Sequence, residues 1–261
     1  NNILQELAGA TNIGIAGHIR PDGDCTGSCM ALYNYLIANC GEANVDVYLE
    51  YVPEAFRSLK NTDQVKSDYD NDIIYDVFIS LDCGATDRLG KAIRYFEQAK
   101  RSINIDHHIS NTDFGDSNHV LKDASSTCEV LFGLFEENKI TKPVAEALYT
   151  GIIHDTGVFK HTNTTEKTMI IASKLVNKGI DFSKIIDESF YQKTYIQNQI
   201  LGRCLLESIL VLDGKCIVSR VTQKILDFYG AGSDDSDGII DQLRVTKGVA
   251  AAILIHETGF H

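Results

Sequence analysis

The sequence predicts an α/β fold, with a mostly parallel sheet covered by helices on both faces and a second, smaller α/β domain. Short apolar segments typical of buried strands alternate with segments whose apolar residues recur at helical spacing. Acidic and imidazole side chains directly follow several apolar segments, where open parallel sheets hold their ligands. The length of 261 residues exceeds that of a typical single domain and favours a second one.

The first domain is predicted over residues 1–190. Thr26 is a suitable N-cap for the helix after the first strand, and Pro143 suits the first turn of a later helix. Apolar runs bounded by turn residues predict strands at residues 12–17, 45–51, 76–81 and 102–107. Apolar residues three and four apart predict helices at residues 3–10, 26–40, 88–100, 125–137, 143–155, 165–178 and 182–192.

The pattern changes near residue 208, which predicts the second domain. Residues 191–207 are predicted to form a connector helix, and residues 208–261 a smaller α/β domain that is incomplete in this chain. A strand from Ile209, the turn Asp213-Gly214 and a strand at residues 216–221 predict a hairpin. The elements predicted after it are a short helix, an acidic loop at residues 230–238 and a strand at residues 249–255.

Composition restricts the class of protein. The formal net charge of −12 argues against a broad electrostatic grip on long nucleic acid, because such binding needs many Lys and Arg side chains facing phosphates. Seven cysteines without paired zinc spacing predict reduced thiols and a cytoplasmic location. No apolar run reaches membrane-spanning length, no signal peptide is visible, and a first residue other than Met is consistent with a missing native start.

The most informative stretch is Asp106-His107-His108, which follows the predicted strand residues Ile103 and Ile105. Alone, such a triplet also fits an ordinary strand end followed by a polar loop, so the other motifs decide between the two interpretations. The other three apolar segments end in the same residue types, with His18, Asp22 and Asp24 after the first, Asp82 after the second and Asp155 after the third. We therefore expect four segments to deliver these side chains to one edge of the sheet.

This ligand chemistry predicts a metal site. Carboxylates with one or two imidazoles suit Mn²⁺ or Mg²⁺ better than a structural thiolate zinc site. Cys25 and Cys83 lie beside candidate ligands, but packing as small buried residues is the favoured interpretation for both. Two cations about 3.5–4 Å apart can clamp a phosphoryl group and lower the pKa of a water. Phosphoester hydrolysis is a reaction that such a pair of cations can support.

The four motifs resemble, in order, those of the DHH phosphoesterase superfamily. The resemblance implies two divalent cations, Mn²⁺ in preference to Mg²⁺. It assigns one cation to His18, Asp22 and Asp82, and the other to Asp24, Asp82, His107 and Asp155. It also implies that His108 contacts the phosphate or assists the leaving group, and we expect Asp106 to orient His107.

Two later stretches, residues 157–165 and 237–249, resemble the nanoRNase and pAp-phosphatase branch of that superfamily. This implies hydrolysis of very short oligoribonucleotides and of 3′-phosphoadenosine 5′-phosphate (pAp), with a DHH-associated substrate domain in residues 208–261. The family's glycine-rich, histidine-containing loop has no match, and Gly259-Phe260-His261 is where the chain stops. The alternatives are a cyclic or linear dinucleotide phosphodiesterase and a catalytically silent nucleotide-binding protein. A long-strand exonuclease is disfavoured by charge and length, and a homodimer remains open.

Four further polar residues have competing interpretations. Arg20 lies inside the first motif and is a candidate phosphate ligand. Arg88 could also reach a phosphate, but a surface ion pair is favoured for an arginine at a helix start. For His161, substrate contact competes with a loop-capping role. His154 precedes a ligand and is expected to point elsewhere on its helix.

Overall fold

The computed structural model describes residues 2–236 and 238–257, without the side chains of residues 233 and 234. The chain divides into two compact units after Tyr191. Among the described residues, no helix is both long and apolar enough to cross a membrane. Asp237 and the final Gly259-Phe260-His261, which the sequence analysis mentions, lie outside the described residues.

The first unit is built on a six-stranded, fully parallel sheet, as the sequence predicts. Two short strands, β3 and β6, were not predicted, and they lie at the two edges of the sheet in the order β3-β2-β1-β4-β5-β6. The strands are β1 (Asn12–Ala16), β2 (Asn44–Tyr48), β3 (Val65–Lys66), β4 (Val77–Leu81), β5 (Ser102–Asp106) and β6 (Ser117–Val120).

The helices of the first unit follow the predicted order, and most of them are shorter than predicted. The predicted helix at residues 88–100 is a 3₁₀ helix over Thr86–Ala92, kinked at Gly90, followed by an α-helix over Ile93–Gln98. The segment predicted as helix over residues 182–192 ends in a π-helix over Asp187–Tyr191. The α-helices are α1 (Ile3–Glu6), α2 (Gly23–Asn39), α3 (Ile93–Gln98), α4 (Thr127–Leu134), α5 (Lys142–Asp155), α6 (Glu166–Val176) and α7 (Phe182–Ile186).

Alternate residues of the central strands bury their side chains on opposite faces of the sheet. In β4, Val77 and Ile79 belong to the larger apolar cluster, which includes residues of α2, α4 and α5. Phe78, between them, packs in a second cluster with Tyr95 and Phe96 of α3. This period of two is the signature of a strand whose sheet is covered on both sides.

Helix α2 begins three residues earlier than predicted, at Gly23 rather than Thr26. The reason is the side chain of Asp22, whose Oδ1 accepts hydrogen bonds from the backbone N–H groups of Asp24 (3.1 Å) and Cys25 (3.0 Å). Asp22 is therefore the N-cap, and Asp24 lies in the first helical turn rather than in a loop.

Helices α2 and α5 cross at two glycines with no space for side chains. A Cβ atom placed on Gly27 would lie 2.7 Å from the carbonyl oxygen of Ala147 and 2.9 Å from the backbone nitrogen of Gly151. Because these neighbours are backbone atoms, the helices could accommodate a methyl group only by moving apart. Asp24 and Asp155, carried by these two helices, are held at a spacing set by this contact.

The second unit has a three-stranded mixed sheet in the order β7-β8-β9, with β7 antiparallel and β9 parallel to β8. The smaller α/β arrangement predicted for this region is therefore present. One helix, α10, was not predicted. The elements are α8 (Tyr195–Leu206), β7 (Ile209–Val211), β8 (Cys216–Val221), α9 (Gln223–Tyr229), α10 (Ile239–Arg244) and β9 (Ala251–His256), with a 3₁₀ helix over Ser233–Ser236.

We predict that Gly27→Ala destabilises the first unit because its methyl group overpacks the contact between α2 and α5. Overpacking of this kind typically costs about 1–3 kcal/mol in the free energy of unfolding. Gly133→Ala is the matched control, since no atom lies within 4 Å of a Cβ placed on this exposed helical glycine of α4, and alanine is the better helix former. Thermal unfolding should show a lower Tm for the first variant only; equal Tm values would contradict the close contact.

Candidate metal centre

The site lies where the three central strands of the first sheet end. Strands β1, β4 and β5 are adjacent, and they lead to His18, Asp82 and His107 respectively. Helix α2 contributes Asp24, and the last residue of α5 is Asp155. The structure therefore brings residues of all four sequence motifs to one region, because parallel strands end at the same edge of their sheet.

A first cluster surrounds the imidazole of His18. Its Nε2 lies 3.5 Å from Oδ2 of Asp82 and 3.6 Å from Oδ2 of Asp22. Its Nδ1 lies 2.8 Å from the carbonyl oxygen of Ile19. A carbonyl can only accept, so Nδ1 carries the proton in this contact, and Nε2 faces the two carboxylates.

Arg88 also lies beside Nδ1 of His18. Its Nη2 lies 3.1 Å from His18 Nδ1, but two donors cannot form a hydrogen bond, so the guanidinium has no acceptor in the ring while Nδ1 carries a proton. The surface ion pair favoured for Arg88 is not found among the described residues, and its side chain is half-buried.

A second cluster surrounds His107. Its Nε2 lies 3.1 Å from Oδ2 of Asp155, 3.6 Å from Oδ1 of Asp82 and 3.9 Å from Oδ2 of Asp24. The ligand atoms of His107, Asp24 and Asp155 all lie within 4.8 Å of one another, a spacing that could hold a metal ion. Asp82 thus presents Oδ2 to His18 and Oδ1 to His107, so one carboxylate lies between the clusters.

The carboxylates of this site are buried against one another. Burial raises the pKa of Asp24 well above its ordinary value, and the nearby charges of Asp82 and Asp155 raise it further. Burial lowers the pKa of His107, but the three carboxylates outweigh this effect and raise it to about 10. Such a concentration of buried negative charge is costly without a compensating cation, and the donor set of oxygens and imidazoles fits a hard divalent ion.

Asp82 also has an unusual backbone. Its φ of +58° lies in the left-handed region, which non-glycine residues adopt at an energetic cost. The carboxylate is 3% exposed, so the residue holds both a strained conformation and a buried charge. Strain of this kind persists where the surrounding structure requires it, which for Asp82 is the position between the two imidazoles.

The imidazole that the Asp106 carboxylate contacts is that of His108, whereas we expected it to orient His107. Oδ1 of Asp106 accepts a hydrogen bond from Nδ1 of His108 at 2.7 Å. Strand β5 ends at Asp106, so residues 107 and 108 lie beyond it, and both imidazoles have a ring nitrogen 3.6 Å from Oδ1 of Asp82. Hydrogen bonding to Asp106 raises the pKa of the His108 imidazole, which stabilises its protonated form.

The remaining candidate substrate residues lie at the rim or outside these clusters. Arg20 is exposed and also has a positive φ. His161 is exposed, and its Nδ1 lies 3.2 Å from the carbonyl oxygen of Asp155. His154 packs edge-on against the rings of Phe56 and Phe190, away from the ligand cluster of its neighbour Asp155.

Of the two cysteines beside the ligands, Cys25 lies close enough to join them. Its Sγ accepts a hydrogen bond from the backbone N–H of His18 at 3.2 Å, and its sulfur lies within 4.8 Å of ligand atoms of His18 and Asp82. Burial raises the pKa of the Cys25 thiol well above its ordinary value, which disfavours the thiolate that a metal would require. The favoured interpretation of Cys25 therefore stays a packing role.

The side chains of Asn111 and Thr127 contact carboxylates of the four motifs, and neither contact was predicted from the sequence. Asn111 is buried, and its Nδ2 donates to Oδ2 of Asp106 at 2.5 Å. Thr127, interpreted only as part of a helix start, donates to both Asp24 and Asp82. Asn111 lies close in sequence to the Asp106 motif, but Thr127 lies 45 residues from Asp82, and neither position shows which carboxylate the side chain contacts.

Comparison with known proteins identifies the family to which the chain belongs. A family model described as the DHH family, N-terminal domain, matches residues 12–152, more than half of the chain. A bifunctional oligoribonuclease and PAP phosphatase NrnA from Bacillus subtilis is 25% identical over 246 residues, covering 92% of this chain and 76% of the relative. A probable protein of the same name from Streptococcus mutans is 31% identical over 185 residues, covering 70% of this chain.

The alignment spans 58% of the length of the Streptococcus mutans relative. Among solved structures, an exopolyphosphatase-related protein from Bacteroides fragilis superposes with a TM-score of 0.87 at 24% identity, covering 95% of this chain and 76% of that one. This similarity supports the fold. With the match to residues 12–152, the comparisons show that the chain belongs to the DHH family.

Proposed function

We propose that this protein is a metal-dependent phosphoesterase that hydrolyses very short oligoribonucleotides from an end and removes a phosphate from pAp. The observation that carries the proposal is the position of Asp82, whose two oxygens face two separate clusters of ligands. Relatives named as bifunctional oligoribonucleases and PAP phosphatases support the substrate class.

The two clusters supply a complete donor set for two divalent cations. His18, Asp22 and Asp82 would hold one, and the second would be held by Asp24, Asp82, His107 and Asp155. Oxygen donors with one imidazole per cluster favour Mn²⁺, with Mg²⁺ as the alternative. Cations bound there would supply a water of lowered pKa and neutralise the charge of the phosphoryl group.

The other side chains of the site bind and orient the phosphate. Because Nδ1 of His108 donates to Asp106, its Nε2 remains for the substrate, and the side chain is 45% exposed. Its raised pKa suits donation of a hydrogen bond or a proton to a phosphate oxygen or the leaving group. The guanidinium of Arg88, half-buried beside His18 and without an ion pair among the described residues, is the second proposed contact to the phosphate.

Arg20 and His161 are proposed as outer contacts to the substrate, since both are exposed close in sequence to candidate ligands. The acidic composition supports short substrates held through cations rather than long nucleic acid held by a basic surface. Specificity for the substrate's far end is proposed to lie in the second unit, which the resemblance assigns to a DHH-associated domain.

Metal removal should abolish the activity. We expect release of product from pAp and a ribodinucleotide in the presence of Mn²⁺, and none after addition of a chelator. Linear and cyclic dinucleotides and pyrophosphate complete the panel. Cleavage of the cyclic dinucleotide alone would identify a signalling phosphodiesterase instead, and binding of nucleotides without any cleavage would identify a catalytically silent protein.

The cation should also stabilise the fold, because it binds the native carboxylate cluster and not the unfolded chain. At a Mn²⁺ concentration 100 times the dissociation constant, linkage adds about 2.7 kcal/mol to the free energy of unfolding. Thermal unfolding should therefore show a Tm that rises with Mn²⁺ concentration and falls on chelation. A Tm insensitive to Mn²⁺ would contradict the assignment of the site.

Asp82→Asn is expected to lower kcat and Mn²⁺ affinity by at least about 100-fold. Loss of a residue that only hydrogen-bonds to a metal ligand already lowers metal affinity or activity by about 10- to 100-fold. In chelator the variant should be at least as stable as the unmodified chain, because the neutral amide relieves the repulsion that raises the pKa of Asp24. Asp63→Asn, at an exposed position, is the control. Full activity of Asp82→Asn would contradict the bridging role.

A further inference from the structure

Thr127, the first residue of α4, contacts two candidate ligands at the same time. Its backbone N–H donates to Oδ2 of Asp24 at 2.6 Å, and its hydroxyl donates to Oδ1 of Asp82 at 2.9 Å. The residue is fully buried. Asp24 lies on α2 and Asp82 follows β4, so a single residue links carboxylates that come from separate elements.

The N-terminus of α4 fixes both oxygens of Asp24. Cys128 N–H donates to Oδ1 at 3.0 Å, while Thr127 N–H holds Oδ2. The first N–H groups of a helix have no partner within the helix and lie at its positive end, so they suit a carboxylate. Each carboxylate oxygen has a second lone pair, and Asp24 can therefore accept these bonds and still coordinate a cation.

The hydroxyl of Thr127 fixes the rotation of the Asp82 carboxylate. Oδ1, which accepts the bond, is also the oxygen that lies 3.6 Å from Nε2 of His107. Holding Oδ1 in this direction keeps Oδ2 toward His18, at 3.5 Å from its Nε2. The bridging arrangement of Asp82 therefore depends on a donor that is not itself a ligand.

The first turn of α4, in which Thr127 lies, is held by contacts that do not involve the candidate ligands. Glu129 is 1% exposed and accepts hydrogen bonds from the hydroxyls of Ser125 and Thr168, both at 2.7 Å. Ser126 caps α4 by accepting a bond from the backbone N–H of Glu129 at 3.1 Å. The start of α4 is therefore built independently of any cation.

We propose that Thr127 is a positioning residue of the metal centre, which aligns Asp24 and Asp82 before a cation binds. The inference rests on the proposed function, since it takes the ligands assigned there. The proposed role belongs to the hydroxyl of Thr127, because the backbone N–H is present whatever side chain occupies position 127. Without the hydroxyl, the Asp82 carboxylate would be free to rotate away from the line between His18 and His107.

The test compares Thr127→Val, which keeps the shape and loses the hydroxyl, with Thr127→Ser, which keeps the hydroxyl. Mn²⁺ affinity of the full chain is measured by isothermal titration calorimetry, a readout separate from turnover. We expect Thr127→Val to bind Mn²⁺ about 10- to 100-fold more weakly, as for other second-layer partners of metal ligands. Thr127→Ser should restore affinity to near that of the unmodified chain.

Ser126→Ala is the control for a merely structural effect. It removes the cap of α4 and lowers thermal stability but leaves the bond from Thr127 to Asp82. Equal weakening of Mn²⁺ binding by Ser126→Ala and Thr127→Val would overturn the inference. If the unmodified chain and Thr127→Val bind Mn²⁺ equally tightly, only the role of Thr127 is overturned. If the unmodified chain binds no Mn²⁺, the proposed function is overturned as well.

Discussion

The structure depends on keeping several carboxylates buried and close together. Asp24 is completely buried and Asp82 nearly so, and both face Asp155 across the imidazole of His107. Mutual repulsion of such charges opposes folding, and the molecule offsets it with donors placed on several sides. Imidazoles, the first N–H groups of α4 and the hydroxyl of Thr127 all point at these acids. A divalent cation completes this compensation.

The fold provides the rigidity that this arrangement requires. Strands β1, β4 and β5 lie side by side in a parallel ladder, so the residues after them start from fixed neighbouring points. Helices α2 and α5 meet at glycines with backbone against backbone. Each candidate ligand is therefore attached to an element whose position cannot be adjusted alone, which suits the proposed metal centre.

Sequence patterns were sufficient for the fold class and for the side chains that gather at the sheet edge. Apolar runs followed by acid or imidazole specify both strand and site, as the Asp106-His107-His108 motif illustrates. Contacts between side chains were harder to predict from the sequence. The pairing of Asp106 with His108 forms just after the end of β5, and the start of α2 follows from capping by Asp22. The role of Thr127 depends on packing between segments far apart in sequence, which no local pattern encodes.

The origin of the ligands has a consequence for how the protein reaches its native state. The candidate ligands come from segments spread between His18 and Asp155. Strands that are neighbours in the sheet, such as β1 and β4, are distant in the chain. Non-local pairings of this kind form late and slowly, because closing the long loops between the strands costs conformational entropy before any stabilising contact has formed. A partly folded chain therefore offers no complete set of ligands. A cation bound at this site would stabilise the folded unit and slow its unfolding, but it cannot start the folding that forms the site.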